Sequence, residues 1–235
     1  FRRVLFRSLE ERGVSLGFAS FDELAAQHAR YGDSWGALIP LFDVRKANVP
    51  PNAAFCLAAR NRAGEMIASM SGRFYEVPEG QTLRTIMEDG TFMGTPCSQE
   101  SGRETACVVT APMADRLKGN IAYCGALWVH PDYRGLRLAA VIPRLTHACM
   151  VTLWNIDHMI GFLKPEVIGS GLQQRYGYTN FEPSFRYIEN GEEVYDGLLV
   201  WMSATELTDD VARFLDVLWP QIDARSVAGH AQKSA

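Results

Sequence analysis

Arg134 and Gly135 close a short loop, Asp132-Tyr133-Arg134-Gly135, that joins an apolar stretch to a helical one. The stretch before it, Tyr123–Val129, carries β-formers and ends at His130-Pro131, which predicts a buried strand. The stretch after it, Gly135–Leu153, places apolar residues at Leu138, Ile142, Leu145, Cys149 and Leu153. Gaps of three and four residues belong to a helix. A strand that feeds a loop and then a helix N-terminus gathers free backbone N–H groups and the positive end of a helix dipole at one place. With an arginine beside them, those groups suit a phosphate or pyrophosphate.

Val129-His130-Pro131-Asp132-Tyr133-Arg134-Gly135 resembles the acyl-CoA motif of the GNAT superfamily, the Gcn5-related N-acetyltransferases. The family pattern is Arg or Gln, two residues, Gly, one residue, then Gly or Ala. It maps onto Arg134-Gly135-Leu136-Arg137-Leu138-Ala139, with both ends matched and the middle glycine replaced by Arg137. The resemblance implies that Leu127, Trp128, Val129, Arg134, Gly135, Leu136, Arg137, Leu138 and Ala139 bind acetyl-CoA, which is consumed as a co-substrate. Backbone N–H groups of Gly135–Ala139 would hold the pyrophosphate, and backbone around Val129, where neighbouring strands splay apart, would polarise the thioester carbonyl. Glycine at position 137 would let backbone approach phosphate closely. An arginine there either obstructs that approach or swings outward and adds a charge-assisted hydrogen bond. Retained binding is expected.

Acetyl transfer to an amine asks for a held thioester, a polarised carbonyl, a deprotonated amine and a proton for the departing thiolate. Tyr176-Gly177-Tyr178-Thr179-Asn180-Phe181 resembles the family's second signature, a helix ending in Tyr, three residues, then Gly-Phe. The family's usual tyrosine falls at Gln173, which has no titratable proton. Tyr176 is therefore the candidate acid and Tyr178 its substitute, with phenol pKa values near 10 in model peptides. The predicted strand has no carboxylate to serve as base. Glu76, Glu88 and Glu182 are candidates by proximity to predicted elements alone, and a water chain would serve equally. His147 and His158 lack metal-ligand spacing, so no metal site is expected.

Elements must position these groups. Val14–Ala19 predicts a first strand, and Ser20-Phe21-Asp22-Glu23 a capping box, with Glu23 reaching back, for a helix through about Tyr31. Ser34–Val44 reads as a second short helix interrupted by Pro40; Trp35 and Phe42 there are either wall of an acceptor pocket, as the resemblance implies, or core. Ala53–Arg60 and Met66–Val77 predict a hairpin around Gly64, and Gln81–Glu88 a helix. Gly90–Gly119 is aperiodic apart from a strand-like Ala106–Thr110, a connection long enough to fold over an acceptor site. Pro143 within the central helix predicts a kink. His158–Leu163 reads as a strand, and Lys164-Pro165-Glu166 opens a helix to about Arg175. Gly169 and Gly171 weaken that helix, for close approach of the pantetheine arm or for tight packing. Phe185–Ile188 and Val194–Met202 flank Asn190-Gly191, a hairpin signal. Thr208 is read as cap of a last helix, Asp209–Leu218.

The implied fold is α/β, a mixed, mostly antiparallel central sheet flanked by helices, in a single acyltransferase domain over residues 9–223. Residues 1–8 include Arg-Val-Leu-Phe-Arg-Ser, which matches a translated sequencing-adapter tail, and are read as artefact or disordered; a basic targeting peptide would need an apolar h-region after it. Residues 224–235 read as a loose tail.

Among 235 residues, 47% are hydrophobic and 21% charged, enough for a full core. A net charge of -4 offers nothing for nucleic acid or an anionic membrane surface and is compatible with a cationic amine. No run approaches the roughly 20 apolar residues of a membrane span. Five cysteines, Cys56, Cys97, Cys107, Cys124 and Cys149, with no CxxC pair, argue for reduced thiols in a cytoplasmic protein. The expected function is transfer of an acetyl group from acetyl-CoA to a primary amine of a small molecule or peptide. A non-catalytic acyl-CoA-binding module is the alternative, motivated by Arg137 and Gln173. Assembly as a homodimer is compatible with the sequence.

Overall fold

The computed structural model describes residues 9–10, 13–45, 49–94, 105–189 and 191–216. The expected readings of residues 1–8, Asn190, Leu218 and the tail, and of Cys97, lie outside them. Strands β1 (Ser15–Ala19), β2 (Ala54–Arg60), β3 (Met66–Glu76), β4 (Thr105–Val109), β5 (Asn120–Val129), β6 (His158–Leu163), β7 (Asn180–Glu189) and β8 (Glu192–Ser203) form one sheet in the order β1-β2-β3-β5-β6-β8-β7-β4. Among the described residues, β5–β6 is the one parallel pair and every other neighbour is antiparallel. The expected mixed sheet is present. Within the connection from β3 to β5, the strand β4 pairs with β7 at the far edge of the sheet.

Side chains alternate across a strand, so consecutive residues feed two cores. Cys124, Met159 and Val200 pack on one face with Leu138, Ile142 and Leu145 of α3 (Leu138–Trp154) and with Leu207 of α6 (residues 204–216). Tyr123, Ile160 and Leu199 pack on the other with Leu24 of α1 (Phe21–Trp35), Leu83, Ile86 and Met87 of α2 (Leu83–Glu88), and Leu41, Phe42 and Phe92. Helices thus cover both faces, and the site must lie where the sheet itself opens.

Local chemistry corrects several readings. Ser20 caps α1 by accepting from the Glu23 amide at 3.1 Å, but the Glu23 carboxylate pairs with Arg60 of β2 instead of reaching back. The helix passes Gly32, bends at Tyr31 and ends at Gly36, whose φ of 80° glycine adopts at low cost. Ser34–Val44 is not a second α-helix: Ser34 and Trp35 end α1, and a 3₁₀ turn follows at Pro40–Phe42. The central helix starts at Leu138, after a 3₁₀ turn over Pro131–Leu136, and runs on through Pro143. Its predicted stripe fails at the end, where Leu153 is 58% exposed. The helix after β6 is split into α4 (Pro165–Gly169) and α5 (Leu172–Tyr176) at Gly171, φ 70°. Nothing lies within 4 Å of a Cβ built at Gly169 or Gly171, so neither serves tight packing, and Gly171 suits its left-handed φ. Ser203, not Thr208, caps α6: it accepts from the Glu206 amide at 3.2 Å, and Glu206 accepts from the Ser203 amide at 2.7 Å.

Candidate active site

β5 and β6 pair only from Ile121–Cys124 against His158–Gly161, although β5 continues to Val129 and β6 to Leu163. Past Cys124 the two strands diverge. The cause lies on the other side of β5, where Ser71 faces Gly125 but Ser69 faces Trp128. One extra residue is inserted, and Ala126 takes φ 54° to accommodate it. Such a bulge bends its strand away from its neighbour. Gly125 is needed beside it, because a Cβ there would lie 2.7 Å from the Tyr123 hydroxyl and 3.0 Å from its ring.

The open seam holds a cavity of about 440 Å³. Its lining comes from both cores. Met70, Cys124, Tyr176 and Tyr178 border it from the α3 side, and Trp35, Ile39, Met93, Tyr123 and Phe162 from the α1 side. The cavity therefore passes through the plane of the sheet, so two molecules entering from opposite faces can meet inside it.

The His130 amide donates to the Ile67 carbonyl of β3 at 2.8 Å. Alternation along an extended chain turns the N–H and C=O of Val129 the other way, into the open seam. The chain then makes its 3₁₀ turn and passes through Arg137 at φ 60°, ψ 20°, before α3 begins. That left-handed conformation is one that glycine adopts at low cost and a side-chain-bearing residue only with strain. The first hydrogen bonds of α3 run from Ala140 and Val141 to the Arg137 carbonyl, so the Leu138 and Ala139 amides precede the ladder. Among the described residues no side chain caps this end, and no acid lies in its first turn. Arg134, Gly135 and Arg137 are exposed, Leu136 and Ala139 half-buried, and Leu138 buried.

Of the predicted set, Leu127 lines the cavity, Val129 offers backbone to the seam, and residues 134–139 form the turn and helix start. The Trp128 side chain does something else. Buried, it stacks on Trp35 at 4.8 Å and donates through Nε1 to Ser34 Oγ at 3.2 Å, fixing α1 to β5. Trp35 lines the cavity, whereas Phe42 is sealed in the core against Phe21 and Tyr123.

Tyr176 closes α5 and borders the cavity half-buried. Burial raises its pKa above the ordinary tyrosine value, against the pull of Arg175. Tyr178 is buried with its hydroxyl 3.2 Å from Cys124 Sγ, and burial likewise pushes its pKa upward. Cys124 is driven up to about 12, which makes it a neutral wall rather than a nucleophile. Gln173 is buried, with no partner for Oε1 among the described residues. None of the three carboxylates named as bases lines the cavity. Glu76 is exposed opposite Asn120, Glu88 lies 3.5 Å from Arg84, and Glu182 accepts from the Met113 amide at 2.6 Å. Tyr123, Met93 and Phe162 were missed as site residues. Tyr123 shares a strand face with Gly125, a pairing that alternation makes visible, but Met93 lies in aperiodic chain that carries no such signal.

No protein-family model matches the chain, and no curated protein matches it. Among solved structures it is similar to a spermidine N-acetyltransferase from Vibrio cholerae, at 10% identity and a TM-score of 0.48 over 83% of this chain and 96% of that one. It is also similar to a ribosomal-protein-S5-alanine acetyltransferase from Vibrio fischeri, at 9% identity and a TM-score of 0.46 over 82% and 93%. Likenesses of that order name no substrate or activity for this chain.

Proposed function

We propose that this chain is an acyl-CoA-dependent N-acetyltransferase of the GNAT type, moving an acetyl group from acetyl-CoA to a primary amine of a small molecule or peptide. One observation carries the reading: a cavity crosses the sheet at the opened β5–β6 seam, beside a helix N-terminus that no side chain of the described residues caps. The residues present fit acetyl-CoA. The Leu138 and Ala139 amides, the positive end of α3 and the exposed guanidinium groups of Arg134 and Arg137 favour a pyrophosphate. The Val129 amide, turned into the seam, suits a thioester carbonyl.

Acetyl-CoA supplies the activated acyl thioester. Transfer forms one C–N bond and breaks one C–S bond; the amine loses a proton and the departing sulfur gains one. Tyr176 supports the catalytic reading because it borders the cavity and its raised pKa keeps the phenol protonated at neutral pH. The buried Gln173, at the family's acid position, favours the second reading of a non-catalytic acyl-CoA-binding module.

The test is calorimetric titration of acetyl-CoA into the protein and its Arg134→Glu variant, followed by thiol release with amines. Micromolar binding that weakens by about tenfold or more in the variant is expected. Binding by neither protein removes the cofactor and the enzyme assignment together. Binding without thiol release on any amine selects the non-catalytic module.

A further inference from the structure

The α1-side half of the cavity is walled by Trp35, Ile39, Pro40, Met93, Tyr123 and Phe162. Among the described lining residues there is no Asp or Glu, and the one charged side chain is Lys164. Buried charge near this wall is also not offered to a ligand as an anion. Asp43, 1% exposed, is engaged by Arg45, whose Nε and Nη2 donate to its two carboxylate oxygens at 2.7 and 2.8 Å. Arg73 pairs in register with Tyr123, so both side chains leave the same face of the sheet. It is 7% exposed, donates to the Leu41 carbonyl at 3.3 Å and lies over the Tyr75 ring at 5.3 Å. Among the described residues no free anion therefore borders the acceptor half, and its surface is apolar and aromatic.

Resting on the N-acyltransferase reading above, we propose that the acceptor is a primary monoamine carried on an apolar body, aryl or alkyl, rather than a polyamine or a charged amino acid. A second ammonium would enter this half of the cavity with no carboxylate among the described lining residues to meet it. An aryl or alkyl body instead gains by leaving water for Trp35, Ile39, Met93 and Phe162. The same desolvation acts on the reacting nitrogen. Burial in apolar surroundings lowers an ammonium pKa, so the wall itself favours the neutral amine that attacks the thioester. Among the described residues no carboxylate borders the cavity to act as base, and this desolvation supplies another route for the amine to shed its proton on entry.

The test measures kcat/KM for acetyl-CoA-dependent thiol release with n-hexylamine and 1,5-diaminopentane, equal in length and differing in one terminal cation, with 2-phenylethylamine and spermidine beside them. The monoamines are expected to win by about 100-fold, the size of discrimination an apolar pocket delivers. Met93→Glu, which places a carboxylate on the half-buried wall, is expected to narrow that ratio by about tenfold or more. Acetyl-CoA binding is measured on the same samples. Bound acetyl-CoA with equal or better turnover of the diamine overturns the inference and leaves N-acyl transfer standing. Bound acetyl-CoA with no turnover of any amine overturns it in favour of the binding module, and no binding overturns both readings.

Discussion

Arg137 shows what one residue can carry and what its letter hides. The sequence marks it as a departure from a glycine and leaves its side chain two courses. The structure adds a backbone fact, φ 60° and ψ 20°, that no pattern of letters contains. A side-chain-bearing residue is strained there by about 1–2 kcal/mol, and a β-branched one fits worst. Arg137→Val is therefore expected to destabilise the fold by about 1 kcal/mol or more, while Arg137→Gly is tolerated. Urea midpoints of the three proteins check this; equal midpoints for Val and Gly would show that the position is not left-handed in solution. Tyr176 carries the corresponding chemical prediction. Tyr176→Phe keeps the ring and removes the proton, so kcat is expected to fall by about 100-fold or more with acetyl-CoA binding unchanged. Because burial raises its pKa, no loss of activity between pH 6 and 9 is assigned to this phenol. The helix was read to about Arg175 and in fact closes on Tyr176; the place of Tyr176 on the cavity wall depends on how α5 docks, which is not a local property.

At the scale of elements, periodicity revealed type more readily than ends. α3 was visible because Leu138, Ile142 and Leu145 recur on one face, and all three are buried. His147 on the same helix was read only against metal binding. It is enclosed in the core with its ring 5.6 Å from that of Tyr178, and neither ring nitrogen has a partner among the described residues. Burial, helped by nearby Arg144, lowers its pKa to about 3. The folded state then binds fewer protons than the unfolded state below the unfolded pKa of about 6.5, so stability is full above that pH and declines as pH falls toward 3. His147→Leu is expected to flatten that decline and to leave stability at pH 7 unchanged or raised, since it removes an unpartnered polar group. Chemical denaturation across pH 3.5–7 reads both effects; parallel curves for the two proteins would refute the assignment. The bulge in β5 makes the second prediction at this scale. Gly125→Ala drives a Cβ into the Tyr123 ring, which is packed against Phe42, Phe92 and Phe162. The fold should survive with a loss of about 1–3 kcal/mol while acyl transfer drops sharply, measured as thiol release on folded protein. Unchanged turnover would remove Tyr123 and the bulge from the working geometry.

For the whole molecule, succession along the chain was readable and pairing in space was not. The β2–β3 hairpin announced itself through Gly64, and His158–Leu163 appears as a strand with the limits read from its letters. Nothing local said that β4 would cross to the far edge and pair with β7. The clamp that joins the helices on the α3 face was equally hidden, because its parts are 66 residues apart. Arg144, on α3, donates through Nη2 to Asp210 of α6 at 3.1 Å, with Nε 2.8 Å from the second oxygen but off line for a hydrogen bond. Its Nη1 donates to the Ala140 and Arg175 carbonyls, and its guanidinium lies 4.2 Å from the Phe214 ring centroid. Gly177 completes the joint, since a Cβ there would collide with the Asp210 carboxylate; this gives the glycine of the Tyr-Gly-Tyr sequence a structural reason. Both charged side chains are largely shielded, 8% and 13% exposed. Asp210→Leu leaves the guanidinium buried without its counter-ion and is expected to cost about 3–5 kcal/mol. The apolar pair Arg144→Met with Asp210→Leu is expected to cost less than either single change, because no charge is then stranded. Denaturant unfolding of the four proteins forms the cycle. If the double variant is as unstable as the sum of the singles, the pair does not act as a clamp, and α6 is held on the sheet by Leu207 and its apolar neighbours alone.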